Sequence, residues 1–243
     1  MLHNDMDQDL SNILFLDIET VAGKPSYQDL NERVQEHWNK KAGFIQREGD
    51  LTPDELYYQR AGIYAEFGKI VTIAVGFITE HGKQLQLRVK AFSDENEKAL
   101  LTDFKTLLDK KFDPETLLLC AHNGKEFDFP YICRRMLING ISLPYVLDIT
   151  GKKPWEVRHL DTMEMWKFGD RKNFTSLDLL ATIFDIDTSK GDIDGSQVTP
   201  VYYEENDLER ITEYCKRDVV VTAQLFLKFK TLPAIKPENV HIL

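Results

Sequence analysis

Ile13-Leu14-Phe15-Leu16-Asp17-Ile18-Glu19-Thr20 is an apolar run that closes on two acids, and its reading decides the fold. A run this short and this apolar predicts a buried central β-strand, where unpartnered carboxylates are costly. Successive strand side chains point to opposite faces. Asp17 and Glu19 therefore share one face with Cα atoms roughly 6.6 Å apart, while Leu14, Leu16 and Ile18 pack behind the other. Two carboxylates so placed can converge on one divalent cation. A strand that merely reaches solvent at its end would show the same pair, so the rest of the chain has to separate the two readings.

Downstream, residues 22–68 form a long polar stretch with helix-like patches around 27–40 and 53–66, read as a helical insertion. Thr52-Pro53-Asp54-Glu55 opens the second patch with an N-cap, Pro at the first helical position and acids in the first turn. Ile70 to Thr79 is rich in β-branched residues, and His81-Gly82-Lys83 turns the chain into the alternating Gln84 to Phe92, which predicts a hairpin. Ser93, Asp94 and Glu95 open a helix with apolar positions at Leu100, Leu101, Phe104, Leu107 and Leu108. A strand over Thr116 to Ala121 follows, then a helix over Phe127 to Ile138 stopped by Asn139-Gly140. After an irregular stretch comes a short apolar-to-acid segment, His159-Leu160-Asp161. Thr175 or Ser176 caps a helix at 177–184, and Asn206 with Glu209 signals a capping box for a long helix, 207–230. Together these elements predict an α/β fold, a mixed sheet flanked by helices, in a single domain.

The 243-residue chain is 42% hydrophobic and 29% charged, an ordinary globular balance, and lacks any apolar stretch long enough to cross a membrane. Its first residues, Met1 to Asn12, are polar and acidic where a signal peptide would be basic and then apolar, so a cytoplasmic location is expected. Cys120, Cys133 and Cys215 are widely spaced and read as reduced, inert thiols. A net charge of −10 argues against broad, sequence-independent adhesion to nucleic acid, though not against a local groove or a metal-filled acidic site.

Two further segments bear on the acids. Leu117 to Gly124 is a second apolar strand running into a turn, and Phe127-Asp128-Phe129 opens the next helix, where Asp128 could equally be a capping residue. In Tyr214-Cys215-Lys216-Arg217-Asp218, the Tyr and the final Asp lie four apart on one helix face, about 6 Å of rise from each other. A Tyr on such a helix is usually core and an Asp usually solvated. Asp185-Ile186-Asp187 and Asp192-Ile193-Asp194 repeat the acid spacing of Asp17 and Glu19, but follow a helix and flank a Gly-bearing loop, and are read as solvated loop acids.

Taken in order, Asp-x-Glu closing a strand, Asn-x3-Phe-Asp after a second strand and Tyr-x3-Asp on a late helix resemble the DEDD, or DnaQ-like, superfamily of 3′→5′ exonucleases, with its ribonuclease H-like fold. The Tyr places the resemblance in the tyrosine-bearing branch. Ala121 to Ile132 is similar to the second exonuclease motif of family B DNA polymerases, and the chain as a whole is similar to stand-alone relatives of that proofreading domain, from Leu14 to about Leu227. The resemblance implies metal ligation by Asp17, Glu19, Asp128 and Asp218, with Asp17 bridging two ions, and a water-orienting role for Tyr214. It also implies that Asn123, Phe127, Ile18, Thr20 and Ser176 bind substrate, with Asp161 in support. With 243 residues there is no room for a polymerase domain, so proofreading in cis is not expected.

The residue chemistry agrees with that implication. Hard cations take oxygen ligands, and four carboxylates without paired Cys or His favour two Mg²⁺ or Mn²⁺ ions over structural zinc. The expected activity is two-metal hydrolysis of a nucleic-acid partner, single-stranded DNA with a free 3′ end, to nucleoside 5′-monophosphates. Lys152, Lys153, Lys167, Arg171, Lys172 and Lys190, interleaved with Trp155, Trp166, Phe168 and Phe174, could edge a strand-binding groove or form a solvated rim over core aromatics. Two alternatives stand beside this reading: a 3′→5′ exonuclease acting on RNA or short oligonucleotides, and a catalytically silent nucleic-acid-binding module. His122 reads as a structural neighbour of the second motif.

Overall fold

In the computed structural model, which describes residues 10–45, 51–82, 84–170, 174–187 and 193–243, the apolar run becomes the start of a ten-residue strand, β1 (Ile13–Ala22). Ile13 to Leu16 have no exposed surface at all. β1 pairs antiparallel with β2 (Gly68–His81) and parallel with β4 (Leu118–Ala121). β2 continues antiparallel into β3 (Gln84–Ser93), and β5 (Leu160–Asp161) lies parallel beside β4. A short terminal strand, β6 (Val240–Ile242), runs parallel to β3, giving the order β5-β4-β1-β2-β3-β6. The result is a mixed six-stranded sheet flanked by helices, the ribonuclease H-like α/β arrangement expected.

The strand period of two divides β1 cleanly. Leu14, Leu16 and Ile18 pack with α3 (Glu97–Lys111) and α4 (Asp128–Ile138) on one face. Ile13 and Phe15 meet Cys215, Val219, Ala223 and Phe226 of the long helix α8 (Leu208–Phe229) on the other. Val21, farther along the same row, meets Ile211. The row beneath α8 therefore reads Ile13, Phe15, Asp17, Glu19, Val21, apolar at both ends and acidic in the middle. Gly76 of β2 lets α8 come close, since a Cβ there would lie 2.7 Å from Val219 Cγ1.

Between β1 and β2 stand α1 (Glu32–Ile45) and α2 (Pro53–Arg60), gathered around buried Trp38 and Tyr57. The Thr52–Glu55 capping box is formed, with Glu55 N–H reaching Thr52 Oγ1 at 3.3 Å. A buried staple joins this segment to the helices on the far face: Arg135 gives Nε and Nη2 to the Glu97 carboxylate at 2.8 and 2.5 Å and Nη1 to Ala65 O at 2.8 Å. Glu97 also accepts from Ile70 N–H at 2.8 Å and Asn139 Nδ2 at 2.9 Å. Removing the cation strands a buried carboxylate, so Arg135→Ala is expected to cost about 3–5 kcal/mol. A urea melt measures this, and a loss under about 1 kcal/mol would contradict it.

Several boundaries differ from the sequence expectation. Ser93 belongs to β3, and the cap of α3 is Asn96, whose Oδ1 accepts from Lys98 and Ala99 N–H at 3.1 and 3.3 Å. A three-residue helix α7 (Val198–Pro200) runs into a π-turn at Val201–Glu205, which ends with Asn206 left-handed at φ 55°. Asn206 thus cannot cap α8, and Asp207 does so, accepting from Arg210 N–H at 3.0 Å. The irregular stretch after α4 hides α5 (Thr162–Lys167), followed by α6 (Leu177–Ile183) with Ser176 as its cap. Lys83, Arg171, Lys172, Lys190 and Asp192, singled out in the sequence, lie outside the described residues.

Candidate active site

Glu19 is nearly closed to solvent at 8% exposure, whereas Asp17 is only partly covered. A register shift immediately after Glu19 loosens the β1–β2 ladder there. Across from the two acids, the α8 stripe that carries Ile211, Cys215 and Val219 in the core also carries Tyr214 and Asp218. The third element is α4, whose first residue, Asp128, is 4% exposed and accepts hydrogen bonds from its own N–H and from that of Ile18. Asp128 is thus the first residue inside the helix, after Phe127 at the N-cap position, and it reaches across to β1.

These groups share one electrostatic environment. Asp17 and Glu19 are held well above the usual carboxylate range, chiefly by burial, and the charges of Asp218 and Asp128 push both higher. Burial raises Asp128 to about 7 against the pull of the N–H groups it accepts from. Asp218 is raised to about 6 by burial, eased by the Tyr214 hydroxyl that donates to it and worsened by Asp178 of α6. Tyr214 is itself pushed above the ordinary tyrosine value by burial and by the surrounding carboxylates. Four mutually repelling acids, two of them buried and two partly covered, are strained as anions, and a bound cation would relieve that strain.

The other sequence-selected positions fall into place unevenly. Asn123, left-handed at φ 65°, keeps its Oδ1 buried without a partner. Phe127 is half-buried with its ring 5.3 Å from that of Tyr131. Ile18 points its side chain to the opposite face from the acids and faces Asp128 only through its backbone N–H. Thr20 bonds the Tyr131 hydroxyl, and the Ser176 hydroxyl is committed to Leu179 N–H at 3.3 Å. Trp166 stacks on Phe229 at 5.9 Å and 15°, a packing role, while Trp155, Phe168 and Phe174 are exposed. His122 sits between Thr162 Oγ1 and Thr175 O at 2.9 and 2.8 Å, and burial lowers its pKa.

Cys215 is a free, buried thiol as expected, its pKa raised by burial and by Asp17, and it borders the acids. Its thiol lies 3.2 Å from Asp17 Oδ2, and ligand atoms of Asp17, Glu19 and Cys215 all fall within 4.8 Å of one another. The signal was legible, because 211, 215 and 218 fall on one helical stripe with 214.

A family described as "Predicted 3'-5' exonuclease related to the exonuclease domain of PolB" matches residues 63–238, a span that includes Asp128, Tyr214 and Asp218 and leaves Asp17 and Glu19 outside. Among solved structures, the family B DNA polymerase from the hyperthermophilic archaeon Pyrobaculum calidifontis is similar over 89% of this chain, with a TM-score of 0.57 and 16% identity. The matched region is 24% of that polymerase, and the likeness is one of fold. No curated protein matches the chain.

Proposed function

This chain belongs to the family of predicted 3′-5′ exonucleases related to the exonuclease domain of PolB, and on that footing we propose that it hydrolyses single-stranded DNA from the 3′ end, releasing nucleoside 5′-monophosphates, with divalent cations. The observation that carries this reading is the mutual electrostatic coupling of Asp17, Glu19, Asp128 and Asp218 and of the Tyr214 hydroxyl, brought together from β1, α4 and α8.

The carboxylates fit hard cations: they lie close enough to repel one another, and burial and that repulsion raise their pKa values for want of a positive charge. Asp17, Glu19, Asp128 and Asp218 would hold two Mg²⁺ or Mn²⁺ ions, which when bound supply an activated water and neutralise charge on the scissile phosphate. Tyr214 stays a neutral hydroxyl at physiological pH because its pKa is raised, so it serves as a hydrogen-bond donor and orienter rather than as a base. Its bond to Asp218 fixes where that hydroxyl points. Asn123 and Phe127, on the loop leading into Asp128, would hold the terminal nucleotide.

Tyr214→Phe keeps the ring that packs against Ile211 and removes only the oxygen, so kcat is expected to fall about 10- to 100-fold with KM nearly unchanged. An unchanged kcat would make Tyr214 a packing residue. The substrate assignment is tested by digesting end-labelled single-stranded DNA, blunt duplex and RNA in parallel. Single-stranded DNA should be degraded fastest, since a paired end must first unstack. Faster loss of RNA would move the substrate class.

A further inference from the structure

Asp161 is 2% exposed, is not one of the four carboxylates although its charge pushes the pKa of Asp128 up, and spends both carboxylate oxygens on backbone N–H groups. Oδ1 accepts from Met163 at 2.9 Å and Glu164 at 3.3 Å, capping α5, and also from Asn123 at 3.0 Å. Oδ2 accepts from Lys125 at 3.1 Å. One carboxylate on β5 thus serves two clients, a helix behind it and the loop between β4 and α4. That loop passes the constraint forward, because Asn123 O receives Phe127 N–H at 3.0 Å and Gly124 O receives Phe129 N–H at 2.9 Å. Asp128 lies between those two residues. A Lys125–Glu164 ion pair at 2.8 Å and the His122 ring between Thr162 and Thr175 hold the same loop to α5 and to the approach of α6.

We infer that Asp161 is a positioning residue for the exonuclease site, setting Asn123, Phe127 and Asp128 where the terminal nucleotide and a cation need them. The inference rests on the reading of the site given above. Fixing a ligand from behind commonly changes metal affinity or activity by about 10- to 100-fold when the support is lost.

The two roles of Asp161 can be separated. Asparagine is as good an N-cap as aspartate, so Asp161→Asn keeps an oxygen on α5 and on Asn123 but turns an amide NH₂ toward Lys125 N–H, donor against donor. Asp161→Ser can still cap α5 and gives up the reach to the loop. With the full chain at a temperature well below either variant's melting point, both are expected to bind Mn²⁺ about 10-fold more weakly and to lose about 10- to 100-fold in kcat/KM, and amide hydrogen exchange should quicken at residues 123–127 while α5 keeps its protection. Either variant matching the wild type within two-fold in both Mn²⁺ affinity and kcat/KM overturns the inference. A wild-type chain that binds Mn²⁺ yet hydrolyses no 3′ end would sink the exonuclease reading instead, and the Mn²⁺ titration of the two variants would still decide the role of Asp161.

Discussion

Asp17→Ala is expected to lower turnover on a single-stranded 3′ end by about 10³-fold or more, roughly 4 kcal/mol of lost transition-state stabilisation. Asp17 is the carboxylate on which Glu19, Asp218 and Asp128 all act, and it takes the Cys215 thiol as well, so it lies at the centre of the cluster. On the proposed reading its removal takes away a ligand that no neighbour can replace without leaving its own position. The same change should leave the metal-free fold intact or firmer. A carboxyl group raised above its unfolded value costs nothing while both states are protonated, at pH below about 4. As the pH rises the unfolded chain releases its proton first, so the native state loses stability until the folded value is passed. For Asp218 and Asp128 the window runs up to their values near 6 and 7, and Asp17 and Glu19, held well above the usual carboxylate range, act in the same direction. At pH 8 without metal, Asp17→Ala should therefore melt at or above the wild type, by about 2–5 °C, with the difference closing near pH 4. Near-normal turnover, or a melting point far below wild type, would remove Asp17 from the centre of the site.

Chelation should have an effect as large. The crowded donors are carboxylate oxygens with one buried thiol beside them, and the acids are strained as anions without a counter-charge. Treatment with EDTA is expected to bring hydrolysis to background, and Mg²⁺ or Mn²⁺ to restore it. A cation that binds the folded cluster and not the unfolded chain stabilises the fold, so adding Mn²⁺ at pH 8 should raise the melting point, by about 3 kcal/mol of stability at a hundredfold excess over Kd. The effect should shrink toward pH 5, where protons compete for the same oxygens. Hydrolysis that survives exhaustive chelation would end the metal-dependent account.

Much of the fold could be read because its signals are local. The alternation along β1 separates Leu14, Leu16 and Ile18 from Asp17 and Glu19, and the helical stripe of α8 puts Tyr214 and Asp218 on the side that meets them. β6 escaped because Val240–Ile242 is three residues long and largely exposed, too short to carry a period. The cap of α8 slipped by one residue, since nothing in Val201 to Glu205 announces a π-turn. The role of Asp161 is not legible in the sequence, because its bond to Asn123 N–H spans 38 residues and no local pattern reports it. The contact of Cys215 with Asp17 follows from its place on the α8 stripe and not from its residue type.

The central claim is hydrolysis from a 3′ end, and one comparison tests it most directly: the same single-stranded DNA sequence, once linear and 5′-labelled and once closed into a circle, incubated with the protein and Mn²⁺. The account predicts a ladder shortening one nucleotide at a time from the 3′ end of the linear strand, nucleoside 5′-monophosphates as product, and an untouched circle. Cleavage of the circle would contradict it and mark an endonuclease on the same ribonuclease H-like fold.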